Sequence, residues 1–415
     1  MNQRVRPARI SFLLDNLTGG GAEKVILNLA SGFMRLGHPV DILVCKMEGV
    51  LCNSIPAGVN LVPLEASSPN LGFLCAMRAD PVAFRAIAGM FTKRKPFRFI
   101  PPIAAHLKAG RPAVLVSALP KSNINAVLAK YYSGTPTRVV VGAHINMSTQ
   151  ETECYSSGKS KLRYMRPLLQ RCYRRADAVV AVSEGVAKDI VKYLDLDREH
   201  VTAIYNPIET REIEVLSHEP LKHPWFQQET VPIVLGVGRF VDQKDFPLLL
   251  RAFARLRQNR PARLVLLGGD ESSSEQREHK RQLISLATQL GVQEDLDMPG
   301  FKVNPYPFLR KASVFVLSSR YEGFGNVLVE ALLCGCPVVS TNCPSGPAEI
   351  LADGSYGMLV PVSDEHRLAE AIGETLDNPR DMAVLRARGE EFSIENAVER
   401  YRKVLLGHHC RTASL

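Results

Sequence analysis

Apolar residues along the chain alternate between short strand-like runs and helical spacing. The run RISFLLDNL, residues 9–17, is too short for a helix and is followed by three glycines. The next segment has apolar residues at the three- and four-residue spacing of an amphipathic helix that ends at Gly37. The run PVDILVC then predicts a second strand. A strand, a glycine turn, a helix and a strand in this order predict a right-handed parallel unit.

This alternation forms two series of elements. The first continues through AVLVSAL, TRVVVGAH and ADAVVAVS, and the second runs from PIVLGVGRF, near Pro232, to CPVVST. We predict an α/β fold of two Rossmann-like, doubly wound domains facing a central cleft. The predicted boundaries are 1–206 for the first domain, 207–230 for a proline-containing linker, 231–390 for the second domain, and 391–415 for a C-terminal helix and tail that can pack back on the first domain.

The composition agrees with a folded protein of several domains. The chain has 415 residues, of which 46% are hydrophobic and 22% charged, which excludes a disordered chain and a single small module. Because no run approaches about 18 apolar residues, we expect neither a spanning helix nor a signal peptide. Nine scattered cysteines predict reduced thiols in the cytosol. Cys334 and Cys336 lack the second pair that a zinc site needs, so we expect them to be buried.

Charge is distributed unevenly. Residues 1–205 contain 27 Lys and Arg against 14 Asp and Glu, whereas the remainder is slightly acidic. Two basic blocks, 78–111 and 159–175, also carry apolar residues, a mixture that favours an anionic membrane surface as the partner of the first domain. Nucleic acid is the competing partner, although no recognition motif accompanies the charge. A solvated basic face without a partner is the third interpretation.

Two candidate sites follow predicted strands. Gly19, Gly20 and Gly21 stand at the mouth of a helix, where backbone N–H groups can meet an anion, although a tight turn explains them as well. Arg239 and Lys244 follow the strand PIVLGVG, and two cations at the carboxyl end of a strand can hold a diphosphate without a metal. An ordinary solvated loop is the alternative.

Two further candidates involve carboxylates and a histidine. Glu322 precedes a predicted helix and Glu330 lies about one turn inside it, so both can face one pocket. The N–H groups of residues 324–326 would add anion contacts there. An exposed helix also carries glutamates routinely. His144 ends the strand TRVVVGAH, where its ring can hydrogen-bond a substrate hydroxyl, and a purely structural histidine is the alternative.

Taken together, the motifs resemble a known family. These are GGGAEKV, VAVSEGV, YNPI, GVGRFVDQKDF, LVLLGG, MPGF, EGFGNVLVEAL and CPVVSTNCPSGPAEIL. In this order and spacing they resemble the retaining nucleotide-sugar glycosyltransferases of GT-B fold, family 4. The resemblance extends from about Arg9 to Leu405.

The resemblance implies a role for each candidate residue. Arg239 and Lys244 would hold the donor diphosphate, Glu330 the ribose, and Glu322 would lie at the donor sugar. The residues implied in catalysis are His144, Glu322, Arg239 and Lys244. The residues implied in substrate binding are Gly19, Gly20, Gly21, Phe301, Phe324, Gly325, Asn326, Val327 and Glu330.

The resemblance also implies a reaction. A hexose or N-acetylhexosamine would pass with retention from a nucleotide sugar, with UDP favoured, to a glycan or lipid-linked acceptor in cell-surface polysaccharide or glycolipid synthesis. We expect neither a metal nor another cofactor, no nucleic-acid partner, and a cytoplasmic protein able to lie on the inner face of the membrane. The alternatives are a sugar-nucleotide epimerase or a phosphorylase of the same fold, or a non-catalytic protein that binds glycans or nucleic acid.

Overall fold

The chain forms two compact units. The computed structural model describes residues 7–83, 95–156, 162–227, 231–269 and 272–407. The first unit comprises Met1–Pro207 and Ile394–Leu415, and the second comprises Ile208–Ser393. Each unit contains one sheet whose strands are all parallel, as the two predicted Rossmann-like domains require.

The first unit has a seven-stranded sheet in the order β3-β2-β1-β4-β5-β6-β7. Its strands are β1 (Ile10–Leu14), β2 (Val40–Val44), β3 (Asn60–Pro63), β4 (Val114–Ala118), β5 (Arg138–Ala143), β6 (Ala178–Ala181) and β7 (Val201–Ala203). Every residue of β1, β2 and β4 is buried, which explains their continuous apolar runs, since a parallel sheet is covered on both faces.

Helices connect these strands. They are α1 (Gly21–Arg35), α2 (Pro69–Ala79), α3 (Ile100–Gly110), α4 (Pro120–Ser133), α5 (Met147–Ser156), α6 (Leu162–Arg175) and α7 (Glu184–Tyr193). Short 3₁₀ turns occur at Val50–Asn53, Lys95–Phe97 and Arg198–His200. The strand-helix alternation predicted from the apolar pattern is therefore present in the first unit, although the sequence analysis did not identify the short strands β3 and β7.

The second unit has a six-stranded sheet in the order β10-β9-β8-β11-β12-β13. Its strands are β8 (Ile233–Val237), β9 (Arg263–Leu267), β10 (Leu296–Gly300), β11 (Val314–Leu317), β12 (Val338–Thr341) and β13 (Met358–Val360). The sequence analysis did not identify β13, which has only three residues and therefore shows too little of a strand pattern.

The helices of the second unit precede, connect and follow these strands. They are α8 (Thr210–Ser217), α9 (Pro224–Gln227), α10 (Phe246–Asn259), α11 (Ser274–Gln289), α12 (Tyr306–Lys311), α13 (Asn326–Leu333), α14 (Pro347–Ile350), α15 (Glu365–Asp377) and α16 (Met382–Glu390). Short 3₁₀ turns occur at Asp242–Lys244 and Gln293–Asp295.

Residues 207–230, for which a linker was expected, differ from that expectation. From Ile208 onward the chain belongs to the second unit, and α8 and α9 lie in this segment. His223 Nε2 donates to Asp297 Oδ2 at 2.7 Å and the ring packs against Phe226 and Phe308, which anchors the segment to the second sheet. The prolines that suggested a linker in fact begin or flank short helices.

The C-terminal helix α17 (Ile394–Leu406) belongs to the first unit, where it packs on α1. Ile394, Val398, Tyr401 and Leu405 are buried there in the core cluster that includes the apolar face of α1. Gly32 of α1 allows close contact, because a Cβ at this position would lie 2.5 Å from a methyl carbon of Val398 and 2.7 Å from one of Ile394. The helix that the sequence placed after the last strand is thus part of the first core.

In each sheet, strand order reverses at one point. The reversal lies between β1 and β4 in the first sheet and between β8 and β11 in the second. Loops leave adjacent strands in opposite directions at such a point, which opens a crevice at the carboxyl edge where α/β sheets bind ligands. The loops that follow β1, β4, β8 and β11 are therefore the places to look for a site.

The described cysteines are free thiols. Burial, with help from the charges of Glu330 and Glu322 respectively, raises the pKa of Cys334 and of Cys343 to about 12, so both thiols are protonated at neutral pH. Within the described ranges, no three His, Cys, Asp or Glu side chains lie together as metal ligands would. In the same ranges, every helix is too short or too polar to cross a membrane.

Gly32→Ala should destabilise the first unit. Alanine normally favours a helix interior over glycine by roughly 0.5–1 kcal/mol, but here the new methyl group would push α17 away from α1 and cost about 1–3 kcal/mol. The matched control is Gly373→Ala in α15, where the nearest atom would be 3.7 Å from the new Cβ and a small stabilisation is expected. Urea unfolding of both variants measures the difference, and equal effects would show that the contact between α1 and α17 is not close.

Candidate active site

The loops after β8 and β11 are joined by hydrogen bonds at the reversal point of the second sheet. The amide of Arg320 donates to the carbonyl of Gln243 at 2.8 Å, and the side-chain amide of Gln243 donates to the carbonyl of Tyr321 at 2.9 Å. The Ser318 hydroxyl donates to the Lys244 carbonyl at 2.7 Å. The two loops therefore form one rigid ledge at the carboxyl edge, and it carries two of the candidates, Lys244 and Glu322.

Lys244 and Glu322 form an ion pair within this ledge. Lys244 Nζ lies 2.6 Å from Glu322 Oε1, and their side chains are only 15% and 9% exposed. The Ser319 hydroxyl donates to the same carboxylate oxygen at 2.7 Å. The stem of Lys244 packs over Gly238, where any Cβ would approach its methylene carbons to 3.2 Å. Since an ammonium has three donors, Lys244 retains donors for a second anionic ligand.

Asp245 fixes the end of the first loop. It is buried, adopts φ of 44°, and its side chain accepts a hydrogen bond from the Leu248 amide at the start of α10. Arg320 Nε lies 3.0 Å from Asp245 Oδ2. Sequence reasoning missed Asp245 and Arg320, because their partnership depends on β8 and β11 being neighbours, and strand order is not visible in a single sequence.

Arg239 lies at the carboxyl end of β8 with its side chain exposed. In the described part of the chain it makes no ion pair, so its guanidinium is available to an anion. Helix α11 supports the loop behind it: Gln276 Oε1 accepts from the Phe240 amide at 3.2 Å, and His279 Nε2 lies 3.0 Å from Asp242 Oδ1. Burial opposes protonation of His279, but hydrogen bonds to the Glu275 carbonyl and to Asp242 outweigh it and raise the pKa of His279.

Helix α13 begins beside the ledge. Gly325 precedes it with φ of 102°, a conformation that favours glycine, and no side chain caps the helix. The ring of Phe324 is 2% exposed and packs against Phe392 at 5.5 Å, so it cannot contact a ligand. At most the backbone of Phe324 can do so. Asn326 and Val327, in the first turn, are partly exposed.

Glu330 is a buried carboxylate on α13. It is 8% exposed, and no described residue forms a hydrogen bond with its oxygens. Its charge lies near Tyr306 and Cys334, and burial together with this charge raises the pKa of the Tyr306 phenol. A mostly buried carboxylate with free acceptor positions can take hydrogen bonds from the hydroxyl groups of a ligand.

Phe301 stands apart from the ledge. It follows β10, the edge strand that is two strands away from β8, and its ring is 57% exposed. Its exposure leaves it able to contact a ligand, but the structure does not join it to Lys244, Glu322 or Glu330.

The three glycines follow β1 at the reversal point of the first sheet. Gly19 has φ of 101°, and Gly21 is the first residue of α1, with Gly20 as its cap. The carboxylate of the buried Glu23 lies over Gly20, since a Cβ there would be 2.4 Å from Glu23 Oε2. An acidic side chain therefore already occupies the mouth of this helix, which sequence reasoning about a phosphate had not considered.

His144 follows β5 at the same edge of the first sheet. Its ring folds back over Gly142, where a Cβ would be 2.8 Å from Nε2. Burial lowers the pKa of His144 to about 4, so the ring is neutral at pH 7 and one nitrogen can donate a hydrogen bond.

The loop after β4 lies at the reversal point of the first sheet. Leu119 in this loop has φ of 72°, and Lys121 Nζ lies 3.8 Å from Asp15. Sequence reasoning missed this pair because its members are far apart in the chain.

The basic block 159–175 differs from the expected open basic face. Arg171 and Arg175 both pair with the buried Asp80 and thereby lower the pKa of its carboxyl group against the opposing effect of burial. Arg166 Nε donates to the Tyr193 carbonyl at 2.9 Å, and Arg174 pairs with Asp195. These four arginines tie α6 to its neighbours. Parts of both blocks, residues 84–94 and 157–161, lie outside the described residues.

Comparison with known families accounts for most of the chain. The model described as Glycosyltransferase Family 4 matches residues 19–212, and the model described as Glycosyl transferases group 1 matches residues 218–392. The two matches correspond to the first and second units in turn.

Two curated relatives are also glycosyltransferases. A 4-alpha-N-acetylgalactosaminyltransferase of Campylobacter jejuni, whose name specifies a diphospho-undecaprenol-linked acceptor, is 30% identical over 63% of this chain and 66% of its own length. The lipopolysaccharide core biosynthesis glycosyltransferase LpsE of Rhizobium meliloti is 33% identical over 56% of this chain and 65% of its own length. This chain thus spans slightly less than two thirds of either relative.

The structure of Anabaena HepE in complex with UDP matches 96% of this chain and 99% of that chain, with a TM-score of 0.74 and 18% identity, which shows a shared fold. Two parallel-sheet Rossmann-like domains, the order of the motifs and the two family models lead to one conclusion. The chain belongs to the family 4 glycosyltransferases of GT-B fold.

Proposed function

We propose that the protein transfers a hexose or N-acetylhexosamine, with retention, from a UDP-sugar to a glycan or lipid-linked acceptor in cell-surface polysaccharide or glycolipid synthesis. The names of the two relatives support this class of reaction, since one uses an undecaprenol-linked acceptor and the other acts in lipopolysaccharide core synthesis. The UDP complex of HepE supports the choice of nucleotide. The reaction would take place on the cytoplasmic side of the membrane.

The observation that carries the proposal is the ledge at the reversal point of the second sheet. It presents the exposed cation Arg239 and the remaining donors of Lys244 at the edge where α/β sheets bind ligands. The carboxylate of Glu330, which lacks a hydrogen-bond partner among the described residues, suits the two hydroxyls of a ribose. We assign the diphosphate to Arg239 and Lys244, and the ribose to Glu330.

In the proposed transfer, the bond between the anomeric carbon and the diphosphate oxygen breaks as a bond to the acceptor oxygen forms on the same face. The acceptor hydroxyl gives its proton to the leaving diphosphate. Arg239, Lys244 and the N–H groups at the start of α13 would stabilise the negative charge that develops on this leaving group. These groups take the part that a metal has in other transferases, and we therefore propose a metal-independent reaction.

The remaining candidates receive roles around the sugar. Glu322, held by Lys244 and Ser319, would accept hydrogen bonds from hydroxyls of the donor sugar. The neutral His144 would donate to a sugar hydroxyl, and the backbone of Gly19, Gly20 and Gly21 would approach phosphate or acceptor oxygens. Phe301 is proposed to contact the base, because its exposed ring can stack on a planar heterocycle.

Binding of the donor should stabilise the protein. UDP and one UDP-sugar should raise the melting temperature, since a ligand bound only by the folded state adds RT ln(1 + [L]/Kd), about 2.7 kcal/mol at a hundredfold excess over Kd. The shift should persist in EDTA. Thermal-shift assays with a panel of free nucleotides and nucleotide sugars test this, and the absence of a shift with every nucleotide would contradict the proposal.

Glu330→Gln should weaken donor binding and transfer without unfolding the protein, because this carboxylate makes no described hydrogen bond that the substitution would break. We expect KM for the donor to rise by roughly tenfold to a hundredfold, as expected for losing about 1.5–3 kcal/mol from hydrogen bonds to a charged group. The matched control is Glu370→Gln, which alters a surface glutamate paired with Arg367. It should change neither the donor KM nor the rate of transfer. A variant with unchanged donor KM would remove Glu330 from the site.

Lys244→Met should lower kcat by about 10²–10³, the usual cost of removing one group that stabilises charge in the transition state. It also leaves Glu322 without its counter-ion, so its melting temperature must be measured beside its rate. The control Arg251→Met removes a surface cation that pairs with Glu365 in the same unit. Transfer at the normal rate in a folded Lys244→Met protein would contradict the assigned role and favour a non-catalytic binding protein.

The low pKa of His144 predicts a specific acid sensitivity. The unfolded chain binds a proton at His144 near pH 6.5, whereas the folded chain does so only near pH 4, so the stability contributed by neutral His144 is lost as the pH falls through this interval. His144→Gln should therefore make the melting temperature fall less steeply between about pH 6.5 and 4. His366→Gln, at an exposed histidine, serves as the control. Identical pH profiles of the melting temperature for the wild type and His144→Gln would refute the low pKa of His144.

A further inference from the structure

Helix α2 of the first unit exposes apolar side chains to solvent. Leu71 and Leu74 are 46% and 43% exposed and lie three residues apart, so they share one face of the helix. Arg78 lies one further turn along this face, and Val82, just after the helix, is 64% exposed. Exposed leucines in a row beside a cation differ from the polar face that a helix on the surface of a soluble domain normally shows.

The opposite face of α2 holds the helix firmly. Phe73 and Ala76 are buried, and the ring of Phe73 lies 6.1 Å from that of Phe97. Ser68 caps the helix by accepting a hydrogen bond from the Leu71 amide at 3.2 Å. The exposure of the leucines is therefore a property of a well-packed helix, and the residues form a preformed surface.

Cations and a tyrosine lie at the C-terminal end of this helix. Arg78 lies beside the phenol of Tyr132, and Lys108 Nζ lies 5.8 Å from the centre of the same ring. Among the described residues of 64–83 and 95–112, the acidic side chains are Glu65 and the buried Asp80, which Arg171 and Arg175 neutralise. Arg78 and Lys108 thus gather around Tyr132 at the C-terminal end of the row of exposed leucines.

We propose that this surface, formed by Leu71, Leu74, Arg78, Val82, Lys108 and Tyr132 and called here the α2 face, docks on an anionic lipid bilayer. The leucines and the valine would enter the interfacial region, Tyr132 would lie at the level of the headgroups, and Arg78 and Lys108 would bind lipid phosphates. The inference deepens the proposed function, because a lipid-linked acceptor is presented at a membrane surface.

Charge complementarity selects a bilayer over the other occupants. A nucleic acid would pair with cations but gain nothing from two exposed leucines, and the α2 face carries no recognition motif. Four α6 arginines, which the sequence offered as part of a second anionic contact, are engaged by Asp80, Asp195 and the Tyr193 carbonyl; they are Arg166, Arg171, Arg174 and Arg175. Among the described residues, α2 is therefore the better match to a membrane surface.

The test is sedimentation with lipid vesicles. The wild-type protein should pellet with phosphatidylcholine vesicles that contain about one third phosphatidylglycerol, and salt should weaken this binding. Leu71→Ser with Leu74→Ser should weaken the partition into vesicles at least tenfold, since each leucine loses its apolar contact. Arg78→Glu with Lys108→Glu should remove the dependence on phosphatidylglycerol.

Two control variants are available. Val215→Ser alters a residue of the second unit that is 71% exposed, and Arg174→Glu alters an α6 arginine, so both should pellet as the wild type does. Unchanged pelleting of the leucine double variant would overturn the proposal. Equal pelleting of the wild type with pure phosphatidylcholine vesicles would also overturn it. So would DNA binding by the wild type that the leucine and cation double variants lose.

The UDP-induced shift in melting temperature separates this inference from the proposed function. The shift should be the same in the leucine double variant as in the wild type, because the α2 face belongs to the first unit and the ledge with Lys244 and Glu322 belongs to the second. Normal vesicle binding without any nucleotide shift would contradict the proposed function alone. A normal nucleotide shift without vesicle binding would contradict the docking surface alone.

Discussion

The ion pair between Lys244 and Glu322 is the interaction on which the rest of the second unit's site depends. Two charges this deeply buried are stable only together, because each alone would lose its hydration without compensation. Their pairing holds the loop after β8 against the loop after β11, and the bonds from Ser318, Gln243 and Arg320 complete the attachment. Arg239 at one end and α13 at the other are consequently fixed relative to the same ledge.

The first unit has a different set of groups at its carboxyl edge. Its histidine is kept neutral by burial, and the mouth of α1 already carries the carboxylate of Glu23. A site of this kind suits hydroxyl groups better than a second diphosphate. The roles proposed for the two units agree with this difference: the candidate cations Arg239 and Lys244 are in the second unit, and the neutral His144 is in the first.

Positive charge in the sequence and positive charge on the surface are distinct properties. The block 159–175 has no acidic residue, yet Asp80 and Asp195, both distant in sequence, neutralise three of its arginines. In contrast, α2 carries one arginine but lies close to Lys108 of α3. Which cations remain available to a partner is decided by folding, because the ion pairs form between elements that are far apart in the chain.

The sequence by itself predicted most of the parallel strands and the amphipathic helices, and it offered Arg239, Lys244, Glu322 and Glu330 as candidates, because apolar periodicity and motif order are local properties. It did not determine strand order, so the pairing of Lys244 with Glu322 and the support from Asp245 and Arg320 were not visible. It also predicted a linker at residues 207–230, which belong to the second unit except for Pro207. The packing of α17 on α1 was not visible either, because it depends on close contact at Gly32. Such contacts join residues separated by tens or hundreds of positions, and only the tertiary structure decides which of them meet.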